Sequence, residues 1–336
     1  MDLKPLALGA VLALGSVTTA SAQQTLRFAS FEPPQAFITS QILTPWAQEV
    51  TEASNGALTI QMFAGGTLGR DPAQQLQLVE DGVVDIAWII PGYTPGRFQQ
   101  GTVAELPFLV DDATAGSHAT WRMYEEGYFT GDYDQFKMLG IFSSPTNFVA
   151  AMQPIVEPSD MNGLNFRAPG PTMLAAVQQL GAVPVGGITG PGLAEALSRG
   201  LIAGTSTQWG AVGTFRLADV VTHYNTVPMG ATPMLVVMNK ARYEALPEEA
   251  RAAIDALSGA AFSERFGVAF DSDNAAIRAS VEASGRATII DPDEELAARW
   301  RESVEIAVDN WIADNPDGQA IYDAFRAALD DYYAQN

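Results

Sequence analysis

From Thr25 the chain alternates polar and apolar positions through Leu26, Arg27, Phe28, Ala29 and Ser30, which predicts a strand over residues 25–30. The turn Phe31-Glu-Pro-Pro follows, and apolar residues then recur at helical spacing over 37–54, where Asn55-Gly56 supplies a left-handed cap. A second strand is predicted over 58–63. It runs into Gly65-Gly-Thr-Leu-Gly69, then a helix over 72–81 that ends at Gly82, and a third strand over 83–90. Strands alternating with helices of this size predict a parallel sheet covered by helices.

The pattern returns in the middle of the chain. Residues 136–142, 148–152 and 164–168 read as strands, and 171–180 as a helix with Pro171 in its first turn and Gly181 at its end. A helix over 192–198 ends at Gly200, before a strand over 201–206. Segments 78–88 and 196–209 are therefore the same helix-Gly-strand unit, once in each half, and predict two α/β lobes of similar build. The strongest helical signal runs over 247–284, with Ile254, Leu257, Ala261, Phe262, Phe266, Ala269, Ile277 and Val281 in register and no proline. A continuous helix of that length would extend about 57 Å and would have to span both lobes. Gly259 and Gly267 leave open two helices with a break near Gly267. Helices over 294–311 and 318–333 close the chain. The implied division is residues 1–22 as a leader, 23–145 with about 233–272 as the first lobe, and 146–232 with about 273–336 as the second.

The first residues change the cellular picture. Lys4, an apolar run from Leu6 to Leu14 and the small triplet Ala20-Ser21-Ala22 form a secretory signal peptide cut before Gln23. The run is half of what a spanning helix needs, about 20 residues. Cleavage leaves about 310 residues, enough for two separate cores. The chain has 0 cysteines, which removes disulfides, thiolate metal sites and the acylated-cysteine lipoprotein form together. An exported protein of the periplasm is the expectation. The formal net charge of -21 repels nucleic acid and anionic lipid, so any anion site must be a local basic exception.

Little in the sequence carries catalytic chemistry. There are 2 histidines, His118 and His223, neither in a nucleophile-elbow or zinc-binding context. The glycine-rich Gly65 to Arg70 lacks the residues of a phosphate loop, and Asp271-Ser-Asp273-Asn274 begins like a calcium loop but lacks its glycine and closing glutamate; it reads as a solvated helix face. No cofactor is expected. Arg167 differs. It stands near the carboxyl end of a predicted strand, just before a helix start, where open sheets and helix N-termini receive anions. A guanidinium there can grip a carboxylate through two parallel hydrogen bonds.

An ordered set of segments resembles the DctP-type solute-binding proteins of tripartite ATP-independent periplasmic (TRAP) transporters. It comprises Gly65-Gly-Thr-Leu-Gly69, Glu80-Asp-Gly-Val-Val-Asp85, Leu106-Pro-Phe-Leu109, Asn162-Gly-Leu-Asn-Phe-Arg167-Ala-Pro, Glu195-Ala-Leu-Ser-Arg-Gly200 and Met238-Asn-Lys-Ala-Arg-Tyr-Glu-Ala-Leu-Pro247. The resemblance implies a two-lobe periplasmic binding protein fold of the α/β class, each lobe a mostly parallel sheet flanked by helices, with the ligand cleft between lobes. It implies that Arg167 grips a ligand carboxylate, that Thr207, Gln208 and Trp209 supply second-lobe contacts, and that the partners are a small organic acid and the transporter's membrane subunits. Asn147 stands where many relatives carry a second arginine, which argues for a monocarboxylate: aromatic, 2-oxo or 2-hydroxy.

Aromatic residues at predicted strand ends, Phe31, Trp88, Tyr93, Phe148 and Trp209, would suit a flat ligand body. Trp209 is expected to contact the ligand. A zwitterion such as ectoine is the competing cargo, with Glu32 facing its cationic end. A periplasmic enzyme using the same cleft is the competing activity.

Overall fold

The computed structural model describes residues 23–336, so the leader predicted at Met1 to Ala22 lies outside the described residues. Among the described residues eleven strands form two sheets: β1 (Gln24–Ala29), β2 (Leu58–Phe63), β3 (Ile86–Ile89), β4 (Phe136–Thr146), β5 (Phe148–Ala151), β6 (Asn165–Arg167), β7 (Val183–Val185), β8 (Gly204–Thr207), β9 (His223–Asn225), β10 (Ala231–Asn239) and β11 (Thr288–Ile290). The first sheet has the order β2-β1-β3-β10-β4 and the second β11-β9-β5-β8-β6-β7. Neighbours within β2-β1-β3 and within β8-β6-β7 run parallel, as the alternating pattern predicts. Both sheets are mixed, because β10 lies antiparallel to β3 and β4, and β5 antiparallel to β8 and β9.

Period-two alternation builds a core on each face of each sheet. Leu26, Phe28, Ile86, Trp88 and Val236 share one cluster, while Ala87, Ile89, Leu235 and Val237 share the other. In the second sheet Val149, Ala151 and Phe166 face one cluster and Phe148, Ala150 and Tyr224 the other. Helices cover all four faces, which makes each lobe a three-layer sandwich.

Two extended crossings join the lobes. β4 passes into β5 through Asn147, and β9 returns to β10 through 226–230. Asn147 ties the crossings together: its backbone N–H donates to Gly230 O at 2.7 Å, its Nδ2 to Gly230 O at 2.9 Å and Thr232 Oγ1 at 3.0 Å, and its carbonyl accepts from Met229 N at 2.8 Å.

The helical run over 247–284 is not one helix. It divides into Glu248–Ala256 and Ala260–Ser284 at Gly259, whose φ of 80° no side-chain-bearing residue readily adopts and whose N–H donates to Leu139 O at 2.7 Å. Gly267 does not break the helix. It lies where the helix crosses Ala113–Glu125 so closely that a Cβ would sit 2.6 Å from Thr114 Cα. The helix Ala260–Ser284 still reaches both lobes, packing on β4 of the first and on helix Trp209–Thr214 of the second. One boundary needs correction. The C-terminal helix Gly318–Gln335, placed with the second lobe above, packs on Ala113–Glu125 of the first, where Ile321, Phe325 and Leu329 join its core. Among the described residues, no helix is long and apolar enough to cross a membrane.

Candidate functional site

Where the lobes meet they surround a space of about 540 Å³, part of it open solvent. The lobes are closed on it. Gly92 of the first lobe approaches Pro169 of the second so nearly that a Cβ would lie 2.3 Å from the Pro169 carbonyl oxygen. Gly190 N donates to Tyr93 Oη at 3.0 Å across the same junction.

Arg167 ends β6, opposite Thr205 of β8 and Val185 of β7. Its strand is short because Pro169 and Gly170 follow and start the helix Pro171–Gln179. The side chain lines the cavity and is only 3% exposed. Nε donates to Ile188 O at 2.8 Å, while Nη2 is buried without a partner. Desolvation lowers the pKa of the guanidinium, and the Tyr93 hydroxyl beside it works in the opposite direction, favouring the charge. Arg167 is the only Lys or Arg among the residues lining the cavity, and among the described residues it pairs with no carboxylate. A buried guanidinium with a spare N–H and no anion is a site that lacks its counter-charge.

The anion-binding helix start beside it is already filled. Glu105 of the first lobe reaches across, and its Oε2 accepts from Thr172 N at 3.0 Å and Met173 N at 3.4 Å. The helix N–H groups that an incoming anion would meet are thus taken by a carboxyl group of the protein itself. Burial pushes the Glu105 carboxyl up to about 8, against the pull of the two amides.

The other expected site residues divide. Trp88, Tyr93, Glu32, Asn147, Thr207 and Gln208 line the cavity with Arg167. Gln208 is fixed by capping Trp209–Thr214, its Oε1 accepting from Ala211 N at 2.9 Å. Phe31, Phe148 and Trp209 do not line it. Phe31 lies behind Trp88, stacked at 4.4 Å and 14°. Trp209, expected as a ligand contact, is packed into the second-lobe core with Phe148 at 4.5 Å and Tyr224 at 4.8 Å. It is the first residue of the helix that Gln208 caps, and its ring is held by these two aromatic neighbours instead of the cavity.

Sequence reasoning missed Phe37, Phe215, Phe270 and Asp273, which close the cavity from three separate elements. Phe270 and Asp273 are three residues apart on Ala260–Ser284 and so share one helix face; that spacing was the available signal. The neighbouring Asp271 is engaged elsewhere. It caps Ala113–Glu125, accepting from Ala113 N at 2.8 Å and Thr114 N at 2.9 Å, and no group of acids or histidines among the described residues is arranged to hold a metal. Asp273 is raised to about 6 by burial, and Glu32 to about 8 by burial and by the charge of Asp273.

The sequence matches the family described as bacterial extracellular solute-binding protein, family 7 (DctP), over residues 28–315. The chain belongs to the DctP family. Among solved structures, a TRAP solute-binding protein from an unidentified marine microbe, described as specific for aromatic acid ligands and solved with 3-hydroxybenzoate, superposes with a TM-score of 0.88 at 30% identity, covering 93% of this chain and 99% of that one. A TRAP solute-binding protein from Rhodoferax ferrireducens with copurified benzoate gives 0.86 at 28%, covering 92% and 98%. One from Bordetella bronchiseptica with bound (R)- and (S)-mandelate gives 0.83 at 26%, covering 92% and 99%. The two mixed sheets and the interlobe cavity are thus the architecture of DctP-type TRAP receptors.

Proposed function

We propose that this chain is the periplasmic receptor of a TRAP transporter, that it captures an aromatic monocarboxylate between its lobes, and that it delivers the ligand to the transporter's membrane subunits. One observation carries the reading: among the described residues Arg167 is the single Lys or Arg lining the cavity, and it is buried and pairs with no carboxylate. Around it stand Trp88, Tyr93, Phe37, Phe215 and Phe270, which offer apolar area to a flat ring. Asn147 brings no second positive charge and has already donated both Nδ2 bonds, so a second carboxylate would be buried unpaired. The three structural relatives described above bind aromatic acids, which agrees with this cavity. Binding without turnover is favoured because His118 and His223 both lie off the cavity, His118 against Tyr332 and His223 bonded to Thr222 Oγ1.

Calorimetric titration of the purified receptor with benzoate, mandelate and succinate tests this. Benzoate or mandelate should bind and be recovered unchanged, and succinate should not compete. Arg167→Ala should weaken binding about 30- to several thousand-fold, since removing one partner of a buried charge pair costs about 2 to 5 kcal/mol. Arg167→Lys keeps the charge without the planar fork and should restore only part of the loss. A folded Arg167→Ala protein with wild-type affinity would place the carboxylate elsewhere.

A further inference from the structure

Three polar atoms on side chains that line the cavity are buried without partners: Arg167 Nη2, Trp88 Nε1 and Glu32 Oε2. Their side chains are 3%, 1% and 3% exposed. An unsatisfied buried polar group is costly, and three on residues that line one cavity call for partners that a ligand can supply. The ligand carboxylate answers only the first.

The other two belong together. Trp88 lies on β3 and Glu32 just past the end of β1, strands paired in parallel with Ala29 opposite Ala87. Phe31, the residue before Glu32, stacks on the Trp88 ring at 4.4 Å and holds the indole in place. Both side chains belong to the first lobe, whereas Arg167 belongs to the second.

Resting on the aromatic-carboxylate reading, we propose that the ligand also carries a hydroxyl group, and that Glu32 and Trp88 form the first-lobe subsite that selects it. The chemistry is specific to that group. A hydroxyl has lone pairs to accept from the indole N–H and a proton to donate to a carboxyl oxygen. An ammonium has no acceptor and would leave Nε1 unpaired. A carbonyl oxygen could satisfy both only while Glu32 is a neutral acid. The charged and titratable groups that share the cavity with Glu32 are Asp273 on Ala260–Ser284, Arg167 on β6 and Tyr93 after β3. Burial and Asp273 favour the neutral form up to about pH 8, yet a hydroxyl fits either form, so its recognition should persist on the alkaline side. A ligand held by its carboxylate in one lobe and by its hydroxyl in the other would also bridge the lobes.

The test compares each hydroxy acid with its own parent by calorimetry at pH 6 and pH 9: 2-, 3- and 4-hydroxybenzoate against benzoate, and mandelate against phenylacetate. Phenylglyoxylate and 3-(aminomethyl)benzoate supply the carbonyl and ammonium arms. At least one hydroxy acid should exceed its parent by about tenfold or more at both values, because a site built to bond a hydroxyl rejects the analogue that lacks it. That advantage should shrink to within about threefold in Glu32→Leu and in Trp88→Phe, the second of which keeps the stack on Phe31. Wild-type binding without any hydroxyl advantage overturns the subsite, as does an advantage that survives both substitutions, or a preference for the ammonium or carbonyl arm. Benzoate and phenylacetate report separately on the underlying reading. If neither parent nor hydroxy acid binds, that reading falls and the subsite falls with it.

Discussion

Glu32 and Glu105 are each at most 3% exposed, and burial holds both carboxyls at about 8 against an ordinary 4.5. The linkage follows from the sign of these shifts. Below pH 4.5 both groups are protonated folded or unfolded, and their contribution is fully present. As the pH rises from 4.5 towards 8 the unfolded chain releases protons that the fold retains, so stability is lost until the native carboxyls ionise as well. The ligand-free protein should therefore show a Tm that falls from pH 5 to pH 8, and Glu32→Gln should flatten that slope; equal slopes in the two proteins would remove Glu32 from the account. Trp209 has a different fate at the same scale. Buried against Phe148 and Tyr224, it should behave as a core residue, so Trp209→Phe should cost about 1 kcal/mol in chemical denaturation while leaving ligand affinity within about threefold. Its place next to Gln208 made it a candidate; which side of the chain a residue faces at a strand-to-helix junction depends on dihedral angles the sequence does not display.

Among the elements, Ala260–Ser284 shows how helical propensity and packing diverge. Its apolar periodicity was legible, and so was the presence of two weak points, but Gly259 and Gly267 look alike in a sequence. Gly259 stands with a positive φ just before the second helix begins, whereas Gly267 lies inside that helix, where Ala113–Glu125 crosses it. Replacing a mid-helix glycine by alanine raises intrinsic helix stability by about 1 kcal/mol. At position 267 the added methyl would meet backbone at 2.6 Å, which cannot give way as a flexible side chain could. Gly267→Ala should therefore destabilise the protein by about 1 to 3 kcal/mol, against the propensity scale, and a denaturation midpoint above wild type would refute the crossing. The helix Ala113–Glu125 itself escaped notice because small and polar residues, Ala113-Thr-Ala-Gly-Ser-His-Ala-Thr, fill its first turns. Those small side chains admit the close contacts with β4 and Ala260–Ser284, so the feature that hid the helix also lets it pack.

For the whole molecule the decisive contact is between backbones. Gly92 has no positive φ, so alanine is allowed there in isolation, yet its Cβ would strike the Pro169 carbonyl when the lobes meet. Gly92→Ala should fold normally, weaken ligand binding by about tenfold or more, and diminish the contraction that ligand produces in small-angle scattering. Wild-type affinity and contraction in that variant would show that closure does not need this approach. The amino-acid order by itself determined the two α/β lobes, the parallel part of each sheet and the candidacy of Arg167, because period-two and period-3.6 patterns, caps and strand-end positions are local properties. Only the tertiary structure decided that Glu105 occupies the helix start beside Arg167, that Phe270 and Asp273 close the cavity, that Trp209 belongs to the core, and that the last helix returns to the first lobe. Each of these depends on contacts between residues far apart in the chain, whose side chains meet only after two sheets and the helix bridging them have taken their places.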